Sequence, residues 1–466
     1  MLDIFNSYTR KHEILKINLD KTINMYVCGV TAYDYCHIGH GRTFIFFDIV
    51  LRYLRYCGYR VKYVRNITDI DDKIIYKALK NDEKISDFSD RMIFQMQNDF
   101  LNLNIITPDY EPRVTENIDA IIKIISKLLK KKHAYVLNNG DVMFSIDTYP
   151  KYGKFSNQFM HKLKVGARVS KREDKRNPLD FALWKISKKE ETCYWKSPWG
   201  IGRPGWHIEC SAMSTSILKD RIDIHGGGKD LLFPHHENEL AQSTCINKDF
   251  CVNHWMHTEL VIIQNKKMSK SLGNVLLLKD FLMRYDSESI RYFLLSTHYR
   301  HPLYFSESNL KKSEKLLKKL YSSLKDIDFH GLSLSEDRFF KVIFCKALNT
   351  DFNTPKALSI LLQISRKINL LKLKYKSNIS ELVILAYTLK KLGSVLGILL
   401  KDSNFFLKKN NTFHSYEKNI INSLIKKRDN ARKLKNWIYA DEIRKELLKL
   451  GIVLEDSKYS TYWRKM

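Results

Sequence analysis

A histidine pair near the start of the chain could act on a phosphate group. His37 and His40 flank Ile38 and Gly39, at the start of a stretch that predicts a helix with a broad apolar face. Imidazoles and the free N–H groups of a helix N-terminus can stabilise the charge that builds on a pentacoordinate phosphorus. Gly39 would let a flat adenine ring approach the backbone closely. We therefore expect His37 and His40 to be catalytic, and Gly39 and His40 to contact a nucleotide.

A lysine-rich motif, Lys-Met-Ser-Lys-Ser at 267–271, follows about 230 residues after the histidine pair. Lys267 and Lys270 offer two cations on a loop that can close over a departing pyrophosphate. Taken alone, either motif has a simple explanation, chance for the first and a solvated loop for the second. Together and in this order, they predict a site for attack of a carboxylate on the α-phosphate of ATP. We expect Lys270, helped by Lys267, to hold the pyrophosphate, and Mg²⁺ to accompany the ATP.

A second group of side chains could bind a metal ion. Cys28 ends the first predicted strand, Cys210 follows much later, and His235 and Glu239 lie four residues apart. That spacing puts His235 and Glu239 on one face of a helix. Two thiolates, one imidazole and one carboxylate make a plausible four-coordinate zinc site.

The spacing leaves alternatives to this ligand set open. His207 lies three residues before Cys210, and His236 could replace His235. The cysteines and histidines could equally form a structural cluster without a metal. Most of the eight cysteines are expected to be small buried apolar residues, and no disulfide framework is indicated.

These candidates need a scaffold that brings distant segments together. Residues 24–30 predict a strand, 39–57 a helix and 59–65 a second strand. This order forms a βαβ unit, and hence an α/β fold with a parallel sheet of the doubly wound, Rossmann type. Such sheets bind ligands at the carboxyl ends of their strands, which is where the histidine pair falls. A second α/β half is expected at about 205–261.

The rest of the chain divides by its pattern. An insertion at roughly 115–200 predicts lysine-rich helical and loop segments, and 306–400 has helical periodicity without a clear strand signal. Residues 401–415 form a plausible polar linker. Two helices are expected at 417–450, followed by a short tail.

Composition indicates a globular protein with a polyanionic partner. Lysine and arginine (79) exceed aspartate and glutamate (51), a net charge of +28, which favours nucleic acid as a partner. The alternative is an AT-biased genome, which enriches Lys, Ile and Asn without selection for RNA binding. Apolar stretches are far shorter than the ~18 residues of a membrane span, and the start lacks a secretory pattern. We expect a cytoplasmic protein with no membrane partner.

The two phosphate motifs are the hallmarks of the class I aminoacyl-tRNA synthetases, which the chain resembles. Longer segments resemble the cysteinyl-tRNA synthetases in particular, and this resemblance extends from residues 6–11 to residues 451–456. The segments that carry it include VCGVTAYDYCHIGHGR at 27–42, GRPGWHIECSAM at 202–213 and FPHHENELAQS at 233–243. Val30 and Ala32 depart from the family's usual proline and valine, without loss of side-chain chemistry. The resemblance implies activation of cysteine with ATP and transfer to the terminal adenosine of tRNA(Cys).

The resemblance also implies roles for residues around the predicted metal. The family's ligands for one Zn²⁺ per chain fall on the set named above: Cys28, Cys210, His235 and Glu239. Gly29, Thr68 and Trp206 match positions that wall the cysteine pocket, although Trp206 could instead be a plain core aromatic. Zinc bonds a thiolate at about 2.3 Å, while a serine hydroxyl binds it poorly, so no separate editing site is expected.

Two segments of the second half match the family's RNA-binding parts. Residues 351–355, Asp-Phe-Asn-Thr-Pro, are interpreted as a capping turn, with Asn353 or Thr354 as the cap and Pro355 at the first helical position.

The C-terminal stretch 428–444 resembles the family's anticodon-contacting module. Arg428, Arg432 and Trp437 suit phosphate neutralisation and stacking on an unpaired base. A basic amphipathic helix whose tryptophan merely packs is the alternative.

We therefore expect a monomer of six segments: the first half of the catalytic domain (1–114), a connective insertion (115–200), the second catalytic half (201–260), the lysine-motif loop and stem-contact region (261–305), a helical bundle (306–400) and an anticodon-binding domain (416–466). Two rivals remain: a cysteine ligase acting on a non-tRNA amine such as an amino sugar, and a catalytically silent RNA-binding paralogue.

Overall fold

The computed structural model describes residues 1–16, 20–158, 174–187, 193–219, 221–264, 266–268, 274–328, 334–373, 379–409, 423–425, 427–432, 434, 436–449, 452–456 and 461–465. The strands are β1 Asp3–Asn6, β2 Lys11–Ile14, β3 Thr22–Thr31, β4 Arg60–Thr68, β5 Ala134–Val136, β6 Val142–Phe144, β7 Phe181–Ile186, β8 Gly202–Pro204, β9 Arg221–Gly228, β10 Cys251–Thr258, β11 Val261–Ile263, β12 Lys266–Lys267, β13 Leu303–Phe305, β14 Ile452–Asp456 and β15 Thr461–Lys465. The helices are α1 Ile38–Tyr56, α2 Asp72–Lys80, α3 Ile85–Asn102, α4 Ile118–Lys130, α5 Trp206–Leu218, α6 Glu237–Ile246, α7 Leu278–Arg284, α8 Ser287–Leu295, α9 Glu307–Leu324, α10 Arg338–Asn349, α11 Thr354–Leu373, α12 Ile379–Val395, α13 Ser403–Lys409 and α14 Trp437–Lys449. Within the described part of the chain, no helix is both long and apolar enough to cross a membrane.

A parallel sheet in the order β10-β9-β3-β4 forms the centre of the catalytic part. Helix α1 connects β3 to β4, so the predicted βαβ unit and the α/β fold class are confirmed. Most of α1 is buried, including Phe44, Phe47 and Leu51, which explains its broad apolar face. Strands β9 and β10 come from the second predicted half, about 200 residues away. The chain therefore returns to the sheet beside β3, the strand that leads into the histidine pair.

The insertion contains a sheet that the sequence interpretation missed. After α4, the antiparallel sheet β5-β6-β7-β8 covers residues that were expected to be helical and loop segments. Three of these strands have only three residues each. Strands that short show no alternation of apolar and polar residues, so the pattern could not reveal them.

Helices α9 to α12 form the predicted bundle. At the start of α11 the side chain of Asn353 accepts a hydrogen bond from the backbone N–H of Lys356 at 3.0 Å, so Asn353 is the cap. The helix begins at Thr354, which places Pro355 at its second position, one later than expected. Proline is still tolerated there because the first turn has no intrahelical partner for its N–H.

Asp351 in the same turn joins the bundle to the catalytic part. Its carboxylate accepts hydrogen bonds from the N–H of Phe5 (3.0 Å), the hydroxyl of Tyr299 (2.6 Å) and Nε of Arg300 (2.6 Å). The capping interpretation did not foresee these contacts. Asp351 therefore holds the loop that precedes β13.

Arg42 of helix α1 also holds that loop. Its buried guanidinium donates to the carbonyl oxygens of Leu260 (3.0 Å) and His298 (3.2 Å), and also to that of His301. Strand β13, which follows the loop, pairs with β11, and β11 pairs with β12 at the start of the lysine motif. Helix α1 and the bundle thus jointly position the strands that lead into this motif.

A second joint is centred on a buried ion pair between α1 and α8, which also binds the region after α12. Arg291 is fully buried, pairs with the carboxylate of Asp48, and donates to the carbonyl oxygens of Leu396 (2.9 Å) and Leu103 (3.0 Å). Gly397, with φ of 65°, packs against the guanidinium, and a Cβ there would lie 2.3 Å from Nε of Arg291. No other residue type fits at that position without displacing the arginine.

The C-terminal segment contains an antiparallel pair, β14 and β15, where only a tail was expected. Ile443 and Leu447 of α14 pack with Ile452 and Leu454 of β14. The predicted helix at the end of 417–450 is present as α14. Five-residue strands at the end of a chain give a weak sequence signal, which is why they were missed.

Replacing Arg291 with methionine should destabilise the protein by about 3 kcal/mol, because the buried Asp48 loses its fully buried partner and keeps only the partly exposed Arg52. The measurement is urea-induced unfolding followed by circular dichroism. Arg284→Met, at an exposed position of α7, is the matched control and should change stability by less than about 0.5 kcal/mol. Equal effects of the two substitutions would contradict the role of the buried pair.

Candidate metal and nucleotide site

Four predicted ligands converge in the interior at the carboxyl end of β3. Cys28 lies on that strand, Cys210 on α5, His235 on a single helical turn at 232–236, and Glu239 in the first turn of α6. All four side chains are buried, and their ligand atoms lie within 4.8 Å of one another. The structure therefore brings together residues that are up to 211 positions apart.

The distances within this cluster suit a small tetrahedral ion. Sγ of Cys28 lies 3.7 Å from Sγ of Cys210 and 3.2 Å from Oε1 of Glu239, which lies 2.8 Å from Nε2 of His235. A tetrahedron with bonds of about 2.0–2.3 Å has edges of roughly 3.3–3.8 Å. The residues fit a zinc ion after small adjustments of Glu239.

The alternative histidines have different places. His207 lies outside the cluster, with its Nδ1 3.1 Å from Nδ1 of His235. His236 is inside, as a member of an overlapping group formed by Cys28, His225, His236 and Glu239. His225 was not considered as a ligand from the sequence. Its position before three glycines did not reveal it, because it becomes a candidate only through the sheet, in which β9 carries it directly beside Tyr26 of β3.

Burial and charge strongly shift the pKa values of the cluster without an ion. Burial, together with Cys210 and Glu239, raises the pKa of Cys28 well above its ordinary value. Although burial opposes it, the hydrogen bond from Cys28 lowers the pKa of Cys210 to about 7. Burial also opposes protonation of His235, but Glu239 raises the pKa of His235 to about 10. At neutral pH a metal ion must therefore displace protons from Cys28 and His235.

The three residues predicted to wall the cysteine pocket are each linked to this cluster, Trp206 by contact with His235, Thr68 through Glu209 next to Cys210, and Gly29 as the neighbour of Cys28. The ring of Trp206 lies 4.5 Å from that of His235 and is 38% exposed, so Trp206 is not a core aromatic. Thr68 is buried, and its hydroxyl donates to Glu209 at 2.9 Å. Gly29 faces the neighbouring strand so closely that a Cβ would lie 1.6 Å from the carbonyl oxygen of Asn66.

The histidine pair caps the N-terminus of α1. The N–H of His40 donates to Nδ1 of His37 at 3.4 Å, and the N–H of His37 donates to Nδ1 of His40 at 3.2 Å. Their rings stack with centroids 3.8 Å apart. This reciprocal cap fixes both imidazoles at the N-terminus of α1, the positive end of its helix dipole, an arrangement that suits an anionic phosphate.

The second motif reaches the first through Met268. A Cβ added to Gly39 would lie 3.4 Å from Cε of Met268. The N–H of Ile38 donates to the carbonyl oxygen of Leu276 at 2.9 Å, so the chain after the lysine motif runs along the start of α1. Lys267 lies in β12 by its backbone, and Lys270 lies outside the described residues.

The predicted RNA contacts differ in exposure. Trp437, the first residue of α14, is 58% exposed, and Arg432 is exposed as well. Arg428 is buried, with 3% of its side chain exposed. Exposure of the indole favours a binding partner for Trp437 over the alternative in which its ring packs within the domain. Of the three residues, Arg428 is the least accessible to a partner.

Comparisons with known proteins agree over the whole chain. Residues 14–315 match the family model of the tRNA synthetases class I (C) catalytic domain, 343–401 match the DALR domain, and 418–464 match the cysteinyl-tRNA ligase anticodon binding domain. A cysteine–tRNA ligase of Buchnera aphidicola subsp. Baizongia pistaciae is 61% identical over 468 residues, which cover 100% of both chains. One of Histophilus somni (strain 2336) is 50% identical over 466 residues, again with 100% of both chains covered.

Solved structures show the same fold at low sequence identity. A methionyl-tRNA synthetase of Mycobacterium tuberculosis in complex with methionyl-adenylate has a TM-score of 0.57 and 14% identity, and covers 80% of this chain and 89% of its own. A putative arginyl tRNA synthetase of Campylobacter jejuni has a TM-score of 0.54 and 15% identity, with 82% and 94% covered. These neighbours support the fold alone. The family is identified by the family models and by the relatives that match over their full length. The chain therefore belongs to the cysteinyl-tRNA synthetases, a family of class I aminoacyl-tRNA synthetases.

Proposed function

We propose that this chain is a cysteine–tRNA ligase. The carboxylate of cysteine attacks the α-phosphate of ATP, pyrophosphate leaves, and cysteinyl-adenylate forms. The 2′-hydroxyl of the 3′-terminal adenosine of tRNA(Cys) then attacks the carbonyl carbon, and AMP leaves. The observation that carries the proposal is the buried cluster with two cysteines beside the capped start of α1, in a chain 61% identical to a cysteine–tRNA ligase over its full length.

Selection of cysteine is assigned to the cluster of Cys28, Cys210, His235 and Glu239 as ligands of one Zn²⁺. When bound, zinc supplies a soft Lewis acid that prefers a thiolate to a hydroxyl. Trp206 lies over His235 and would limit the space available to the substrate side chain. These features support discrimination against serine by bonding rather than by shape, which separates such similar side chains poorly.

The substrate itself would bind between that cluster and the start of α1. Gly29 and Thr68 lie at the ends of β3 and β4, and the contact with Glu209 fixes the Thr68 hydroxyl. His37 and His40 would stabilise the α-phosphate, with Gly39 against the adenine. Lys267 and Lys270 would neutralise the pyrophosphate and Mg²⁺ would accompany ATP.

The helical bundle and the C-terminal domain would bind tRNA. Exposed Trp437 suits base stacking and exposed Arg432 suits phosphate contact, while Arg428 would need to rearrange. The match of 418–464 to an anticodon binding domain disfavours a non-tRNA amine acceptor. The six predicted segments, the cytoplasmic location and the monomeric state remain predictions.

Cys210→Ser should lower cysteine-dependent exchange between ATP and pyrophosphate by more than about 100-fold. Removing a residue that only supports a metal ligand through a hydrogen bond already lowers metal affinity or activity by about 10- to 100-fold, and Cys210 is proposed as a ligand itself. Binding of tRNA should stay largely intact. Cys57→Ser, at an exposed position, is the matched control. Exchange that survives Cys210→Ser with little change would reject the metal's role.

Trp437→Ala should weaken charging of tRNA by about 5- to 150-fold in kcat/KM, since stacking of one base contributes about 1–3 kcal/mol. Formation of the adenylate should be unaffected. Ile438→Ala, which truncates the exposed neighbour on the same helix, should leave both steps unchanged. An equal loss in both steps of the Trp437 variant would contradict the anticodon role.

Zinc binding by the metal-free protein at pH 7.5 should release about two protons, one from Cys28 and one from His235. Both groups have folded-state pKa values above this pH, so zinc affinity should fall as the pH is lowered. Calorimetric titrations in two buffers of different ionisation enthalpy measure the protons released. In Glu239→Gln the pKa of His235 should drop, and fewer protons should be released per zinc bound; an unchanged number would contradict this electrostatic account.

A further inference from the structure

The group formed by Cys28, His225, His236 and Glu239 has a geometry of its own. Sγ of Cys28 lies 3.6 Å from Nε2 of His225 and 3.3 Å from Nε2 of His236. Oε2 of Glu239 lies 3.3 Å from Nε2 of His225, and Oε1 lies 3.9 Å from Nε2 of His236. These separations are as close to the edges of a tetrahedral zinc site as those of the set that contains Cys210.

Both added histidines direct one ring nitrogen into this group. His225 and His236 are buried, and Nδ1 of His225 has no hydrogen-bond partner among the described residues. The polar contacts of His225 are therefore the ones it makes inside the cluster, with Cys28 and Glu239. Nε2 is thus the nitrogen of His225 that is directed at both shared residues.

His236 has the support that a metal-binding histidine requires. Its Nδ1 lies 2.8 Å from Nε2 of the buried His257, a hydrogen bond in which one ring donates to the other. Such a bond fixes the ring orientation and leaves Nε2 directed at Cys28. His257 would thus serve the second group as an outer support.

The two groups share Cys28 and Glu239 but have different aromatic neighbours. The set with His235 lies under Trp206, which is partly exposed at the pocket. In the other set, the ring of His225 stacks on Trp255 with centroids 4.2 Å apart, and that of His236 lies 5.2 Å from it. Trp255 is a buried core residue, so this second group lies on the core side of the cluster.

We propose that Cys28, His225, His236 and Glu239 form a second, inner position for the zinc ion. Because Cys28 and Glu239 belong to both sets, the two positions cannot each have four protein ligands at the same time. An ion in the inner position has one thiolate ligand in place of two and lies away from Trp206. It is retained by the protein but does not face the pocket that we assign to the cysteine thiol, an assignment that rests on the proposed function.

The test uses Co²⁺ added to the metal-free full chain, with thiolate-to-cobalt charge transfer measured in the near ultraviolet. Cys210→Ser removes a ligand of the outer set only. We expect this variant to bind one Co²⁺ with about half the charge-transfer intensity of the wild type, because one of two thiolates remains. No cobalt binding by folded Cys210→Ser would overturn the inner position.

Two matched double variants separate the positions. Cys210→Ser with His235→Ala leaves the inner set intact and should still bind cobalt with one thiolate. His225→Ala with His236→Ala leaves the outer set intact and should bind it with two thiolates. If only the second double variant binds cobalt, with both folded by circular dichroism, the inner position is rejected. If the wild type and both double variants bind none, the proposed zinc site fails as well, which is a distinguishable result.

Discussion

The burial of the Glu239 carboxylate beside two cysteines is the constraint on which the site depends. An ionised group in the interior is tolerated only when it is paired and hydrogen-bonded. Nε2 of His235 at 2.8 Å and Nε2 of His225 at 3.3 Å meet that need, and Cys28 adds a third contact. These partners come from the turn at 232–236, from β9 and from β3. The parallel order of the sheet, with β9 directly beside β3, is what makes the arrangement possible.

The nucleotide motifs depend on a different set of contacts, which are made largely by the backbone. Arg42 on α1 and Asp351 in the bundle both form hydrogen bonds with the loop before β13. Strand β13 pairs with β11, and β11 pairs with β12, so the position of this loop also fixes the start of the lysine motif. The part of the chain expected to bind tRNA is therefore joined by hydrogen bonds to the part expected to bind ATP.

Much of the fold and of the candidate site could be predicted from particular residues. The features that were missed have physical reasons for giving no sequence signal. The βαβ unit around α1 and the Asn353 cap follow from local pattern, because each depends on neighbours in sequence. The four residues proposed as ligands follow from family motifs, because they lie up to 211 positions apart. His225 and the role of Arg42 could not be found in this way. His225 becomes a candidate only when β9 is known to pair with β3, and Arg42 acts through carbonyl oxygens that any residue type supplies. The short sheet of the insertion is held by pairing between strands too brief to show a pattern.

Gly29 has a consequence for how the specificity of such a site can change. A side chain at this position would collide with the carbonyl oxygen of Asn66, and the N–H of Gly29 is already bound to the Asn66 side chain at 2.9 Å. The wall that Gly29 would give to the proposed pocket is thus made of main chain, whose dimensions no point mutation at that position can alter. A route to a different amino acid would have to pass through other positions, such as Thr68, Trp206 or the proposed ligands. The proposed specificity for cysteine would therefore be insulated from substitution at position 29.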